Sequence, residues 1–335
     1  MGMSSATFAP FRPRAPWFGP DLQTVRNAIH HRAPALSRHP VVRVLFEMGD
    51  SSGDRLVGQL QDPGAGSAAR PLVVLIHGLA GSSESAYMET SASHWLGRGH
   101  RVLRLDLRGA GASRPLCRLQ YHAGRTSDLS DALRRLPAGS TAAGLLVVGY
   151  SLGGNLLLKF LAEHGSEFPV RAAAAVSAPI DLAAASRRFL ARRNRIYHVS
   201  LLRAMKREST QPGAELSPLE RLAIFEARSV LEFDERFVAP RNGYRGAAEY
   251  YEENSSLRFL DRIRVPTLVV QSLDDPWIPG ESFTRFPWRK NQCLVPLLSP
   301  GGGHVGFHGR GSPIPWHDLS ISTFFGDALG LTPTR

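Results

Sequence analysis

Short continuous apolar runs recur through the middle of this chain. They alternate with stretches whose apolar residues return every three or four positions. Leu72-Val73-Val74-Leu75-Ile76, Leu145-Leu146-Val147-Val148 and Ala172–Ser177 read as strands buried on both faces. His100–Leu107 belongs with them. A helix to about Leu96, begun by the polar stretch Ser82–Ser85, and a second helix over Thr126–Leu136 fill the intervals. After Ser151, the residues Leu156, Leu157, Phe160 and Leu161 mark another helix. This alternation predicts an α/β fold with a mostly parallel central sheet and helices on both faces.

The rhythm breaks on either side. Residues 1–40, rich in Pro, Arg and aromatics, predict an N-terminal arm packing on the core, with a short helix near Asp21–His30. Val41–Phe46 and Arg55–Leu60 predict two strands joined at Gly49–Gly53. Residues 181–240 are helical, Arg-rich and without a clear strand, which predicts an inserted helical lid over the carboxyl ends of the strands. The alternation then resumes with a helix near Tyr244–Tyr251. Strands follow at Val265–Val270 and Gln292–Leu298, and a final helix covers about Pro315–Phe325. The expected core is therefore 41–180 with 241–330, and the expected lid is 181–240.

Composition changes this picture little. With 335 residues, 43% hydrophobic and 21% charged, the chain suits a globular protein with one large core. No apolar run approaches the roughly 20 residues that span a bilayer, and the first residues carry no signal-peptide pattern. Cys117 and Cys293 have no framework or metal-ligand spacing, so a reducing cytoplasm is expected. The net charge of +11 rests almost wholly on Arg, since Lys159, Lys206 and Lys290 are the only lysines. That skew reads as codon bias rather than a phosphate-binding surface, so no nucleic-acid partner is expected. One cluster, Arg187–Arg207, interleaved with Phe189, Ile196 and Leu201, leaves peripheral contact with an anionic membrane as an expectation.

The chemistry centres on Gly149-Tyr150-Ser151-Leu152-Gly153. A serine flanked by small residues at a strand-to-helix reversal has the form of a nucleophile elbow, which lifts the hydroxyl clear of the sheet. A serine hydroxyl needs a base, and the base an orienting acid. Both are expected after later strands. His304, among Gly301, Gly302, Gly303 and Gly306, is the expected base, on a loop whose small residues let it approach the elbow. His77 reads as structural, His308 as exposed, and His122 has no derivable placement. Asp275 is the expected acid because Ile278-Pro279 follows it at the right distance. Asp274 is the alternative, otherwise capping the turn. Asp181 is a third candidate, more simply read as a helix cap. The N–H groups of Leu79 and Leu152 are the expected oxyanion donors. Asp106-x-Arg108-Gly109-x-Gly111 is expected to shape a loop beside the pocket.

Several segments carry a resemblance beyond this geometry. They are Pro16-Trp17-Phe18 with Leu22-Gln23-Thr24, and His77-Gly78-Leu79-x-Gly81. Arg108-Gly109 and Tyr121-His122-Ala123-Gly124-x-Thr126-x-Asp128-Leu129 are others. So are Gly149–Asn155, Asn194-x-x-Tyr197, Phe233–Phe237, Gly243-Tyr244, Tyr250-Tyr251, Ser255, Asp274-Asp275-Pro276 and Gly302–Phe307. Together they resemble the YheT-like branch of the α/β-hydrolases, serine esterases related to monoacylglycerol-type lipases, over roughly residues 8–327. The resemblance implies the α/β-hydrolase fold and hydrolysis of carboxylic esters, with Ser151, Asp275 and His304 as triad. It implies a small-molecule ester or lipid-like substrate. The chemistry needs no metal or organic cofactor. Medium or long acyl esters such as acylglycerols suit the apolar residues of the expected lid. A thioesterase, amidase or acyltransferase on the same triad, or a non-catalytic ligand-binding relative, are the alternatives.

Overall fold

The apolar runs become strands of one eight-stranded sheet, in the order β1-β2-β4-β3-β5-β6-β7-β8. The computed structural model describes residues 7–29 and 36–331. Residues 1–6, 30–35 and 332–335 lie outside the described residues. Parts of the expected 1–40 arm, the end of its expected helix at His30 and the first residues read for a signal peptide lie there. The strands are β1 Val41–Glu47, β2 Arg55–Gln61, β3 Leu72–Ile76, β4 Val102–Asp106, β5 Leu145–Tyr150, β6 Val170–Val176, β7 Thr267–Ser272 and β8 Leu294–Ser299. β2 runs antiparallel to β1 and to β4, and all other pairs are parallel.

The helices are α1 Gly19–Ile29, α2 Ala86–Gly97, α3 Thr126–Arg134, α4 Leu152–His164, α5 Leu182–Phe189 and α6 Arg195–Ser209. They continue with α7 Pro218–Glu226, α8 Val230–Phe233, α9 Ala239–Arg241, α10 Ala247–Asn254, α11 Glu281–Thr284 and α12 Trp316–Ala328. Ser85 precedes α2 as expected, but its hydroxyl accepts the Ser82 N–H at 3.0 Å and does not cap the helix.

Strand alternation divides the core. Leu72, Val74, Ile76, Leu145 and Val147 face α3 and α4, packing with Leu129, Leu133, Leu157 and Phe160. Val73, Leu75, Leu146 and Val148 face the other way, toward Trp95 of α2 and Phe324 and Phe325 of α12. Every residue of β3 and β5 is buried, which is why these strands carry no polar alternation.

Among the described residues no strand lies between β6 and β7; α5 to α10 occupy that interval. The capping box of Ser217 and Glu220, with Pro218 at the first turn, starts α7. Leu202, Met205, Ile224, Val230, Phe233 and Phe237 give this helical segment a core of its own. A π-turn, Asp234–Val238, joins α8 to α9. No helix among the described residues is long and apolar enough to cross a membrane.

Candidate active site

β5 is buried, and Ser151 alone separates its last residue from the first of α4. The reversal therefore falls on Ser151 alone. Its backbone sits at φ 50°, ψ −122°, a region that non-glycine residues seldom occupy. Its N–H is held by the Val176 carbonyl at 2.9 Å. The turn is tight enough to need its glycines. A Cβ on Gly149 would lie 2.4 Å from the Gly153 carbonyl oxygen, and one on Gly153 would lie 2.3 Å from that of His77.

Two later loops meet this turn. His304 Nε2 lies 2.9 Å from Ser151 Oγ, and His304 Nδ1 lies 2.9 Å from Asp275 Oδ2. The structure thus brings Ser151, His304 and Asp275 together in one hydrogen-bonded row. Asp275 Oδ1 accepts the N–H groups of Trp277 at 2.8 Å and Ile278 at 3.0 Å. That turn-capping role was expected of Asp274. Asp274 Oδ1 instead accepts the Gly303 N–H at 3.0 Å and so braces the histidine loop. The Trp277 ring stacks on the His304 imidazole, with centroids 4.3 Å apart. Sequence reasoning passed over Trp277, although it stands two residues beyond the chosen acid.

The loop after β3 runs past the serine so closely that a Cβ on Gly78 would come within 2.9 Å of Ser151 Cβ. Two tyrosines shape it. Gly78 gives its N–H to Tyr87 Oη at 2.9 Å, and Ala80 gives its own to Tyr121 Oη at 2.7 Å. Between these committed neighbours, Leu79 N–H has no acceptor among the described residues, nor does Leu152 N–H at the first position of α4. His77 is structural as expected. Its Nδ1 donates to the Gly78 carbonyl at 2.8 Å, and its Nε2 accepts the Leu107 N–H at 3.0 Å. Burial holds this ring below its ordinary pKa, and the neutral tautomer suits both bonds.

Ser151 lines a pocket with a volume of about 120 Å³. Its wall is mostly apolar, with Leu182, Phe189, Met205, Val230 and Phe233 prominent. Two carboxyls interrupt it. Burial pushes Asp234 up to about 7, against the pull of a hydrogen bond from Tyr251 Oη at 2.6 Å. Burial likewise pushes Glu208 up to about 7, against the pull of the hydroxyl that Tyr121 donates to it at 3.0 Å. Tyr121 therefore links the helical segment to the Leu79 loop. Its placement in a motif was the available signal; its partners are too distant in sequence to read.

The remaining candidates stand apart from the row. Asp181 accepts the Ala184 N–H at 2.9 Å and caps α5. His122 lines the pocket and is buried against Tyr244 and Tyr250. Burial, with Arg125 nearby, lowers it to about 3, so it stays neutral. His308, expected to be exposed, is only 2% exposed; residues of α1 cover it. Arg108 does not reach the pocket chemistry. It forks onto Asp128 at 2.9 and 2.6 Å and also meets Asp50 and Asp54, all but Asp50 buried.

Known proteins match this architecture. Residues 71–310 match the family model described as the alpha/beta hydrolase fold. YheT of Escherichia coli (strain K12) is 34% identical over 247 residues, covering 72% of this chain and 71% of that protein. "Medium-chain fatty acid ethyl ester synthase/esterase 2" of Saccharomyces cerevisiae is 29% identical, covering 76% of this chain and 62% of its own. "Phospholipase ABHD3" of Bos taurus is 28% identical, covering 72% and 59%. The chain thus spans about three fifths of the yeast and bovine relatives. Among solved structures, the esterase Pf2001 of Pyrococcus furiosus superposes with a TM-score of 0.58 at 16% identity, over 96% of this chain and 98% of that one, a likeness of fold. The chain belongs to the α/β-hydrolase family, in its YheT-like branch.

Proposed function

We propose that this protein is a serine carboxylesterase acting on medium or long acyl esters, acylglycerols among them. One observation carries the reading: Asp275, His304 and Ser151 Oγ form a continuous hydrogen-bonded row that ends on Ser151 in the wall of an apolar pocket. In this reading Ser151 Oγ attacks the ester carbonyl while His304 Nε2 takes its proton. Asp275 keeps the His304 Nδ1–H tautomer and stabilises the imidazolium. The Leu79 and Leu152 N–H groups, without acceptors among the described residues, receive the oxyanion, aided by the positive end of the α4 dipole. His304 returns the proton to the leaving alcohol. Water then enters, gives a proton to His304 and attacks the acyl carbon; His304 passes that proton to Ser151 Oγ as the acyl–oxygen bond breaks, releasing the acid and restoring the serine.

Residues 181–240 form the lid in this reading, 1–40 the arm, and 41–180 with 241–330 the core. Phe189 and Met205 of the lid line the acyl pocket. A cytoplasmic site suits two cysteines that both stand as free thiols. Ile196 stands exposed on α6 beside Arg195 and Arg203, and Leu219, Leu222 and Phe225 are exposed on α7, which favours peripheral contact with anionic lipid. The yeast relative's name pairs synthesis with hydrolysis, so an alcohol replacing water as acyl acceptor is the second reading. Hydrolysis of p-nitrophenyl esters from C2 to C16, with ethanol added in a parallel series, tests both. A Met205→Trp variant should move the chain-length optimum to shorter esters. An unchanged optimum rejects this pocket as the acyl site.

A further inference from the structure

Helix α1 is held to the protein in an unusual way. Gln23 is its only buried residue, while Leu22 and Ile29 face solvent. Apolar burial therefore does not explain its position. Polar contacts do, and they converge on the loop that carries His304. Thr24 Oγ1 accepts the His304 N–H at 2.9 Å and donates to the Pro20 carbonyl at 2.7 Å. Gln23 Oε1 accepts the His308 N–H at 2.7 Å, and its Nε2 donates to the His308 carbonyl at 3.2 Å. Asn27 Nδ2 donates to the Val305 carbonyl at 3.0 Å.

The loop has the form of something that needs holding. Gly303, Val305 and Phe307 all adopt positive φ, at 61°, 53° and 52°. Such backbone persists where its surroundings over-determine it. Three consecutive N–H groups are each fixed by a different element. Asp274, after β7, takes Gly303; Thr24 takes His304; Ser177, after β6, takes Val305 at 3.1 Å. The glycines beside His304 answer to α1 as well. A Cβ on Gly303 would lie 2.5 Å from the Pro20 carbonyl oxygen and 2.8 Å from Thr24 Oγ1, and one on Gly306 2.6 Å from the Gln23 carbonyl oxygen. These small residues make room for the arm rather than for the elbow. The far side of α1 meets the lid, where Asp21 accepts from Arg193 at 3.0 Å and Tyr197 at 2.9 Å.

We propose that helix α1 is part of the catalytic apparatus, with Thr24 as the residue that positions the base through the His304 backbone N–H. Thr24 touches no reacting atom. It sets where the imidazole points, and the inference rests on His304 being the base of the reaction proposed above.

The test compares Thr24→Val, Thr24→Ser and His304→Ala on p-nitrophenyl butyrate, each rate expressed per folded molecule from circular dichroism. Val keeps the shape of Thr and removes the acceptor; Ser keeps the acceptor. Thr24→Val should lower kcat by about tenfold to a hundredfold with KM within about twofold, because a small misplacement of a catalytic group costs rate rather than binding. Thr24→Ser should return kcat to within about threefold of the parent. If Thr24→Val keeps the parent kcat per folded molecule, or if it loses activity only as it loses folded protein, the positioning role is overturned. If Thr24→Ser fails to restore kcat, the hydroxyl is not the cause and the role is likewise overturned. Activity surviving in His304→Ala would instead remove the base assignment itself, a failure separate from that of Thr24.

Discussion

Replacing Asp275 by Asn removes one charge and changes almost nothing in shape. Its effect follows from two fixed donors. The Trp277 and Ile278 N–H groups both point at Oδ1, at 2.8 and 3.0 Å. The amide oxygen of the Asn must take that place, since the amide nitrogen there would set donors against donors and leave two N–H groups unpaired. The amide NH₂ is then turned toward His304 Nδ1, where Oδ2 stood at 2.9 Å. An NH₂ can only donate, so Nδ1 becomes the acceptor and the ring proton moves to Nε2. Nε2 now faces Ser151 with a hydrogen and cannot take another. The stabilising charge behind the imidazolium is lost as well. Together these should lower kcat by about 10⁴, equivalent to about 5.4 kcal/mol of transition-state stabilisation. The turn keeps its acceptor, so the unfolding free energy should change by only about 1 kcal/mol. Asp274→Asn keeps an oxygen for the Gly303 N–H and should hold kcat within about tenfold. The assay is steady-state hydrolysis of p-nitrophenyl butyrate beside thermal unfolding. An Asp275→Asn enzyme within tenfold of the parent, or an Asp274→Asn enzyme impaired more severely than it, refutes the reasoning.

Gly153→Ala would put a methyl 2.3 and 2.7 Å from the His77 and Ile76 carbonyl oxygens, both rigid backbone. We expect a loss of about 1–3 kcal/mol in stability together with a fall in kcat as the Leu79 loop is pushed away, read by denaturant unfolding and kinetics. A variant with normal unfolding and normal kcat removes the close-approach argument. His308 tests the pH dependence. Burial, with Arg26 beside it, lowers this imidazole to about 2 from an ordinary value near 6.5. A depressed histidine gives stability that is present above 6.5 and lost as the pH falls toward 2. The loss runs at about 1.4 kcal/mol per pH unit. Acidification from 6.5 to 4.5 should therefore lower the unfolding midpoint of the parent more than that of His308→Asn; parallel curves contradict the burial of a neutral ring.

The fold was readable because its central strands are buried on both faces. Leu72–Ile76 and Leu145–Val148 are continuous apolar runs for that reason, and few other structures produce such runs between helices. The elbow was readable because its demands are local: one residue at positive φ and glycines where backbones touch. The loops that carry Ser151, Asp275 and His304, after β5, β7 and β8, could be picked out by their order along the chain. What escaped was nonlocal and polar. His308 was expected to be exposed, but Gln23 and Arg26, 285 and 282 positions away, enclose it. The bracing of His304 by Thr24 spans 280 positions and leaves no periodic trace. Asp274 and Asp275 are adjacent carboxylates at the end of one strand. The direction of each side chain, which no pattern records, decides that Asp275 meets the imidazole and Asp274 the loop.

Whether Ser151 is the nucleophile is the question beneath all the others. Treatment with a fluorophosphonate, the adduct located by peptide mass spectrometry, and ester hydrolysis measured in parallel on the parent and Ser151→Ala address it directly. The account predicts one adduct, on Ser151, with hydrolysis lost in step with labelling, and a Ser151→Ala protein that folds but neither labels nor turns over. Hydrolysis persisting in Ser151→Ala at the parent's rate, or an adduct on a different residue that abolishes activity, contradicts it.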